Sequence, residues 1–179
     1  DEYRKYSESA RTAGDARGEI AGLHGHGMAL RALGRFHEAI SVLQAALTLL
    51  RDGEEAEWEA PVRVSLGLVF YSAGRLQDAV EAFEAVLNSP IPSLRDDPYA
   101  QNGLGLACRL SGQPERAMSL FTQSLVGLRA RRDRRAEASA LSNIAAVHLL
   151  DWNDTGEARR NLELAAAAQE ELGDLHGLG

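Results

Sequence analysis

The chain of 179 residues has a formal net charge of -7, with 45% hydrophobic and 25% charged residues. That balance is globular and excludes wholesale disorder, and an acidic chain lacks the concentrated positive face that direct nucleic-acid binding needs. No apolar run approaches the roughly 20 residues that cross a bilayer, and the single cysteine, Cys108, can close no internal disulfide, which predicts a cytoplasmic, non-membrane protein.

Residues 1 to 13 place Tyr3, Tyr6 and Ala10 at helical spacing, and Gly14-Asp15 ends the helix. From Gly18 to Leu33, the residues Ile20, Leu23, Gly27, Leu30 and Leu33 recur every three or four positions and share one helical face. Phe36, Ala39, Ile40, Leu43, Ala46, Leu47 and Leu50 form a second such face after the turn at Gly34-Arg35. An acidic connector holding Glu54-Glu55 and Trp58 leads to Pro61, in the first turn of a helix through Val64, Leu66, Gly67 and Phe70. Its partner runs from Leu76 to Asn88. Pro90, Pro92 and Pro98 make residues 89–97 the clearest break in the chain.

Asp97-Pro98 is an N-cap and first-turn pair opening a helix to Leu110, with Leu104, Gly105 and Cys108 inward. Pro114 opens the next helix, which passes Ala117, Phe121 and Leu125 and ends in the run Arg129, Arg131, Arg132, Arg134 and Arg135. That run reads as a solvated helix end, where cations offset the helix dipole. The last pair covers about 135–150 and 155–172, with Asp154 and Glu157 resembling a capping box. Gly173-Asp174 echoes Gly14-Asp15, so both ends read as cuts through a longer array.

The turn at Leu33-Gly34-Arg35-Phe36 therefore returns at Ala73-Gly74-Arg75-Leu76, at Ser111-Gly112-Gln113-Pro114, and loosely at Asp154-Thr155-Gly156. Around it, Leu66-Gly67 with Phe70, Ala79 and Phe83, and Leu104-Gly105 with Cys108, Ala117 and Phe121, repeat the set Gly27, Leu30, Ala39 and Leu43. A fourth, degenerate copy has Leu141, Ile144-Ala145, His148, Ala158, Leu162 and Ala165, with about one extra residue at Asp151-Trp152-Asn153. This pattern resembles the tetratricopeptide repeat, in the longer form found in kinesin light chain and in sensor arrays of bacterial regulators. Ala39, Ala79, Ala117 and Ala158 are farther apart than the roughly 34 residues usual in that family, and the repeat-ending proline is absent.

The resemblance implies an all-α, right-handed superhelical solenoid of antiparallel helix pairs with about nine helices. The expected divisions are residues 1–15 as the second helix of a truncated repeat, 16–52, 53–95, 96–132 and 133–174 as repeats one to four, and 175–179 as the start of a further helix. It also implies a concave groove lined by first helices. The matching positions are His24, Met28, Arg31, Val64, Leu68, Tyr71, Tyr99, Asn102, Leu106, Arg109, Asn143 and Leu149, with Ser142 and Ala146 beside the last two. Apolar residues in such a groove would bury a peptide or amphipathic helix while the asparagines fix its backbone.

Phosphate loops, paired metal-ligand motifs and nucleophile elbows are absent from the sequence, so neither an enzyme nor a cofactor or metal is expected. His24 and His26 are two apart and diverge on a helix, and Cys108 falls at a position the family buries. The expected role is a protein-interaction scaffold or sensor module, part of a larger bacterial regulatory protein. Lys5 is the sole lysine among abundant arginine and alanine, the bias of a GC-rich bacterial genome. One alternative is end-to-end dimerisation through Tyr3 and Tyr6 or Leu172 and Leu175. Another is an anionic effector held by Tyr71, Tyr99, Arg31 and Arg109. Trp58 and Trp152 either fill connector gaps or anchor a partner.

Overall fold

A computed structural model describes residues 2–50 and 56–177, the side chains of 56, 172 and 174–177 aside. Glu54-Glu55 and the side chains of Leu172, Leu175 and His176 thus lie outside the described residues. Among those described there are nine α-helices and no strand: α1 (Glu2–Ala13), α2 (Ala16–Ala32), α3 (Phe36–Leu49), α4 (Glu59–Ser72), α5 (Leu76–Leu87), α6 (Pro98–Leu110), α7 (Pro114–Ala130), α8 (Arg134–Ala146) and α9 (Thr155–Gly177). The helices fall into two compact units, Asp1–Leu94 with α1 to α5 and Arg95–Gly179 with α6 to α9. The division coincides with the proline-marked break.

Each unit is built from helix hairpins closed by one local device. Gly34, Gly74 and Gly112 have φ of +72°, +74° and +73°, a conformation that costs a residue with a Cβ roughly 1–2 kcal/mol. At Gly34 the turn is a Schellman motif: Gly34 N–H donates to Arg31 O at 3.0 Å and Arg35 N–H to Leu30 O at 2.9 Å. Arg75 to Phe70 and Gln113 to Cys108 repeat the second of these bonds at 2.9 and 3.0 Å. Two later turns use a residue other than glycine, Arg132 at φ 56° and Asn153 at φ 53°. Four helix starts, those of α2, α6, α8 and α9, are sealed by aspartates. Asp15 accepts from Gly18 N–H at 2.9 Å, Asp97 from Ala100 N–H at 2.9 Å, and Asp133 from Ala136 N–H at 3.0 Å. Asp154 accepts from Glu157 N–H at 3.1 Å, but Glu157 turns to Arg160 at 2.6 Å, so only half of the expected capping box forms.

Within a hairpin, a first-helix glycine receives a second-helix side chain. A Cβ built on Gly27 would lie 2.6 Å from Leu43 Cγ, one on Gly67 2.6 Å from Phe83 Cε1, and one on Gly105 2.5 Å from Phe121 Cε1. Leu43, Phe83 and Phe121 are fully buried as a result. In the first unit they are joined by Ile20, Val62, Val69 and Val86, and in the second by Cys108, Leu128, Leu141 and Val147.

The fourth hairpin departs from this scheme. Ala145 stands where the others have glycine, and Leu162, expected to point inward, is 48% exposed. Leu162 lies instead beside Leu149 in a surface hollow that α9 helps to line. The surplus residue expected near Asp151 is absorbed slightly earlier, in a π-helical turn at Val147–Asp151. At the far end α9 continues through Gly173-Asp174, where a stop resembling Gly14-Asp15 was expected. Gly14 is left-handed at φ 73°, and Gly173 is not.

Candidate functional site

First helices pack on the next first helix within each unit, α2 against α4 and α6 against α8. The residues singled out from sequence therefore sit in rows that cross from one repeat to the next. In the first unit, His24 Nε2 is 2.8 Å from Ser65 Oγ, and its ring meets Trp58 edge-on at 5.7 Å between centroids. Burial lowers the His24 pKa below its ordinary 6.5, while a hydrogen bond to the Pro61 backbone acts in the opposite sense. The imidazole thus behaves as a neutral packing group. Met28, Leu68 and Tyr71 are half-buried, whereas Val64 is buried at 8% exposure and belongs to the core. Trp58 fills the space beside His24, with its indole N–H buried and lacking an acceptor.

Arg31 is half-buried on the same face. Its Nη1 reaches Ser72 Oγ only at 3.5 Å, and its Nε is buried with no hydrogen-bond partner.

In the second unit the corresponding row is more completely paired. Arg109 Nε donates to Asp151 Oδ2 at 2.7 Å, with side-chain exposures of 17% and 25%. The Asn143 amide donates to Asn102 Oδ1 at 3.0 Å, and Tyr99 Oη donates to Asp133 Oδ2 at 2.7 Å. Burial, followed by the Asp133 carboxylate, raises the Tyr99 pKa above 10.0. The backbone N–H of Ala136 and then the Tyr99 hydroxyl lower that of Asp133. Leu106 is half-buried and Leu149 is 42% exposed; Ser142 and Ala146 are half-buried between them.

Three arginines of the run at the end of α7 are held by carboxylates. Arg129 and Arg134 bind the buried Glu137 at 2.8 and 2.7 Å, and Arg131 pairs with Asp97 at 3.3 Å while stacking over Tyr99 at 5.4 Å. Burial alone would raise the Glu137 pKa, but its two guanidinium partners outweigh that and hold it below 4.5.

Several predicted surface residues thus turn out to tie one repeat to the next. No sequence motif marks Ser65, Asp133 and Asp151 as their partners. The available signal was spacing, since each bonded pair is separated by 34 to 42 residues, about one repeat. Arg109 and Tyr99 are engaged in this way, which leaves Arg31 and Tyr71 of the four residues considered for an anionic ligand. Among the described residues no three of His, Cys, Asp and Glu gather in a metal-binding group, and Cys108 is buried. No helix described is long and apolar enough to cross a membrane.

Helix hairpins closed by left-handed turns, packed with a first-helix glycine against a large second-helix side chain and linked through rows of first-helix side chains, define a helical repeat protein. Two sequence profiles of the tetratricopeptide repeat match the chain, one over residues 19–89 and the other over residues 64–136. The chain belongs to the tetratricopeptide repeat family. No curated protein sequence matches it significantly.

Among solved structures it is similar to BtubC (BKLC) from P. vanneervenii, with a TM-score of 0.80, 17% identity, and coverage of 95% of this chain and 72% of that one. MamA from Desulfovibrio magneticus RS-1 (residues 41 to the end) gives 0.61 and 18% identity over 94% of both chains. The nearly identical repeats of a putative kinesin light chain from Podospora anserina give 0.59 and 19% identity, covering 95% and 92%. At these identities the likeness is one of fold.

Proposed function

We propose that the chain is an interaction scaffold or sensor module that seats a peptide or amphipathic helix on its first-helix faces. It acts as part of a larger, cytoplasmic bacterial regulatory protein. The observation that carries this reading is the half-buried apolar set Met28, Leu68 and Tyr71 in one unit and Leu106 in the other, with the hydrogen-bonded Ser72 beside the first and the Asn102–Asn143 pair beside the second. Such rows combine anchoring area with fixed polar partners at little entropic cost. The test is selection of peptides from a displayed random library on the intact chain. Leu68→Glu with Leu106→Glu is expected to weaken the selected peptides more than about thirtyfold with the helical circular dichroism unchanged. Unaltered binding would refute the assignment.

Self-association is the second reading, supported by exposed apolar surface on α1 and α9. Tyr3 and Tyr6 are 53% and 54% exposed and border a hollow of about 310 Å³ with Ala21. Leu149, Ala158 and Leu162 line another of about 390 Å³. Sedimentation equilibrium with Tyr3→Asp plus Tyr6→Asp, and separately with Leu162→Glu, tests it. A mass that stays monomeric across concentration in the unaltered chain removes this reading.

A further inference from the structure

Arg31 and Arg109 occupy the same register, each four residues beyond the small-side-chain position of its first helix, Gly27 and Gly105. The residue that faces each from the next repeat is also equivalent. Ser72 lies five residues after Gly67, and Asp151 lies six after Ala145, with the one-residue surplus of the π-turn between. One arginine has a carboxylate at 2.7 Å, and the other has a hydroxyl oxygen at 3.5 Å. That hydroxyl is already donating to Leu68 O at 2.8 Å. No carboxylate among the described residues pairs with Arg31, and its Nε is buried and unbonded.

A guanidinium presents a planar fork of donors matched to a carboxylate, and withdrawing one of those donors from water without an acceptor is unfavourable. The second unit displays the arrangement that satisfies an arginine here. In the first unit the acceptor has to come from elsewhere, and Met28, Leu68 and Tyr71 beside it would cover the apolar part of whatever brings it.

We propose that Arg31 is a carboxylate seat: an acidic side chain of a bound peptide pairs with the outer nitrogens of the Arg31 guanidinium, as Asp151 pairs with Arg109. The proposal deepens the peptide-binding reading above and rests on it for the occupant. It commits the partner to an aspartate or glutamate flanked by apolar residues.

The probe is N-acetyl-glutamyl-leucine amide, with N-acetyl-glutaminyl-leucine amide as its neutral counterpart, titrated into the full chain while the arginine Nε–H resonances are followed by NMR. The expected result is a saturable shift of the Arg31 resonance with the glutamyl probe and none with the glutaminyl one, while Arg109 is unmoved. Ser72→Asp, which provides an internal carboxylate at the register of Asp151, should abolish the response and leave the fold intact. An Arg31 shift no larger than that of the exposed Arg159, or one that survives in Ser72→Asp, overturns the proposal.

Among library-selected peptides, replacing the acidic residue by its amide should weaken binding about tenfold to the unaltered chain and not to Ser72→Asp. Equal loss in both overturns it as well. A saturable Arg31 response together with library peptides indifferent to Leu68→Glu supports the carboxylate seat and removes only the peptide-face reading.

Discussion

Gly67→Ala tests the packing logic of the fold with a single carbon. In an open helix this change stabilises by about 1 kcal/mol, because glycine has the larger backbone entropy to lose. Here the added methyl would stand 2.6 to 2.9 Å from three atoms of the Phe83 ring, against the roughly 3.5–4.0 Å of an unstrained carbon contact. The ring is 0% exposed, so it has to move by about 1 Å within a filled core, and overpacking of this kind costs about 1–3 kcal/mol. Relief by rotamer change is blocked because Val69 and Val86, also at 0% exposure, share that core. The two effects combine to a net loss of up to about 2 kcal/mol.

Gly173→Ala is the matched control. That glycine lies in α9 with no atom within 4 Å of the added carbon, so stability should stay level or rise by up to about 1 kcal/mol. Urea unfolding followed by circular dichroism measures both. If Gly67→Ala raised stability as much as Gly173→Ala, the close approach of α4 and α5 would not depend on the missing side chain, and the reasoning would fail.

Glu137→Gln should cost about 1.5–3 kcal/mol at neutral pH, because a buried carboxylate shared by Arg129 and Arg134 is replaced by a neutral amide. Since the folded pKa of Glu137 is below 4.5, its contribution is present above that pH and is lost as the pH falls through the lowered value. The variant's stability should accordingly fall less steeply with acid, as read by urea midpoints across pH. His24 has a folded pKa below 6.5, so protonation favours the unfolded chain and the His24 contribution declines as pH drops beneath 6.5. An NMR titration placing the His24 midpoint at or above 6.5 would contradict this, and His24→Gln should flatten that part of the profile. Gly34→Ala, at φ 72°, should destabilise by roughly 1 kcal/mol in the same unfolding assay even though open space surrounds the new carbon.

The parts of this architecture that were legible in the sequence depend on short-range chemistry. Glycines at 34, 74 and 112 mark turns because only the backbone conformation matters there, and the pairing of Gly67 with Phe83 follows from periodicity and size. The turn at Arg132 was illegible, because hairpin geometry imposes the left-handed conformation on a residue with no preference for it, whereas Asn153 is of a type that adopts it readily and was a signal left unused. Leu162 differs for a related reason: its apolarity is a property of the residue, but its exposure beside Leu149 is set by how α9 packs. Of the candidate surface, its location was legible and its state was not. Arg31 and Arg109 are identical in type and register, and only the side chains that face them from the next repeat, Ser72 and Asp151, distinguish an open guanidinium from a closed one.

The π-turn at Val147–Asp151 gives the chain one place where its length is negotiable. A deletion inside an α-helix swings every later residue by about 100° and sends its apolar stripe into water. Between Val147 and Asp151 the helix already carries one residue more than its phase requires, and Leu150, 67% exposed, is anchored to nothing that its loss would release. Removing Leu150 should therefore return the turn to α-geometry, keep Asp151 opposite Arg109 and leave α9 in phase, with helicity unchanged. Removing Ala140 from the middle of α8 should unfold the second unit. The extra residue acts as slack in an otherwise indexed chain, a point at which copies of this repeat could gain or lose a residue without losing count.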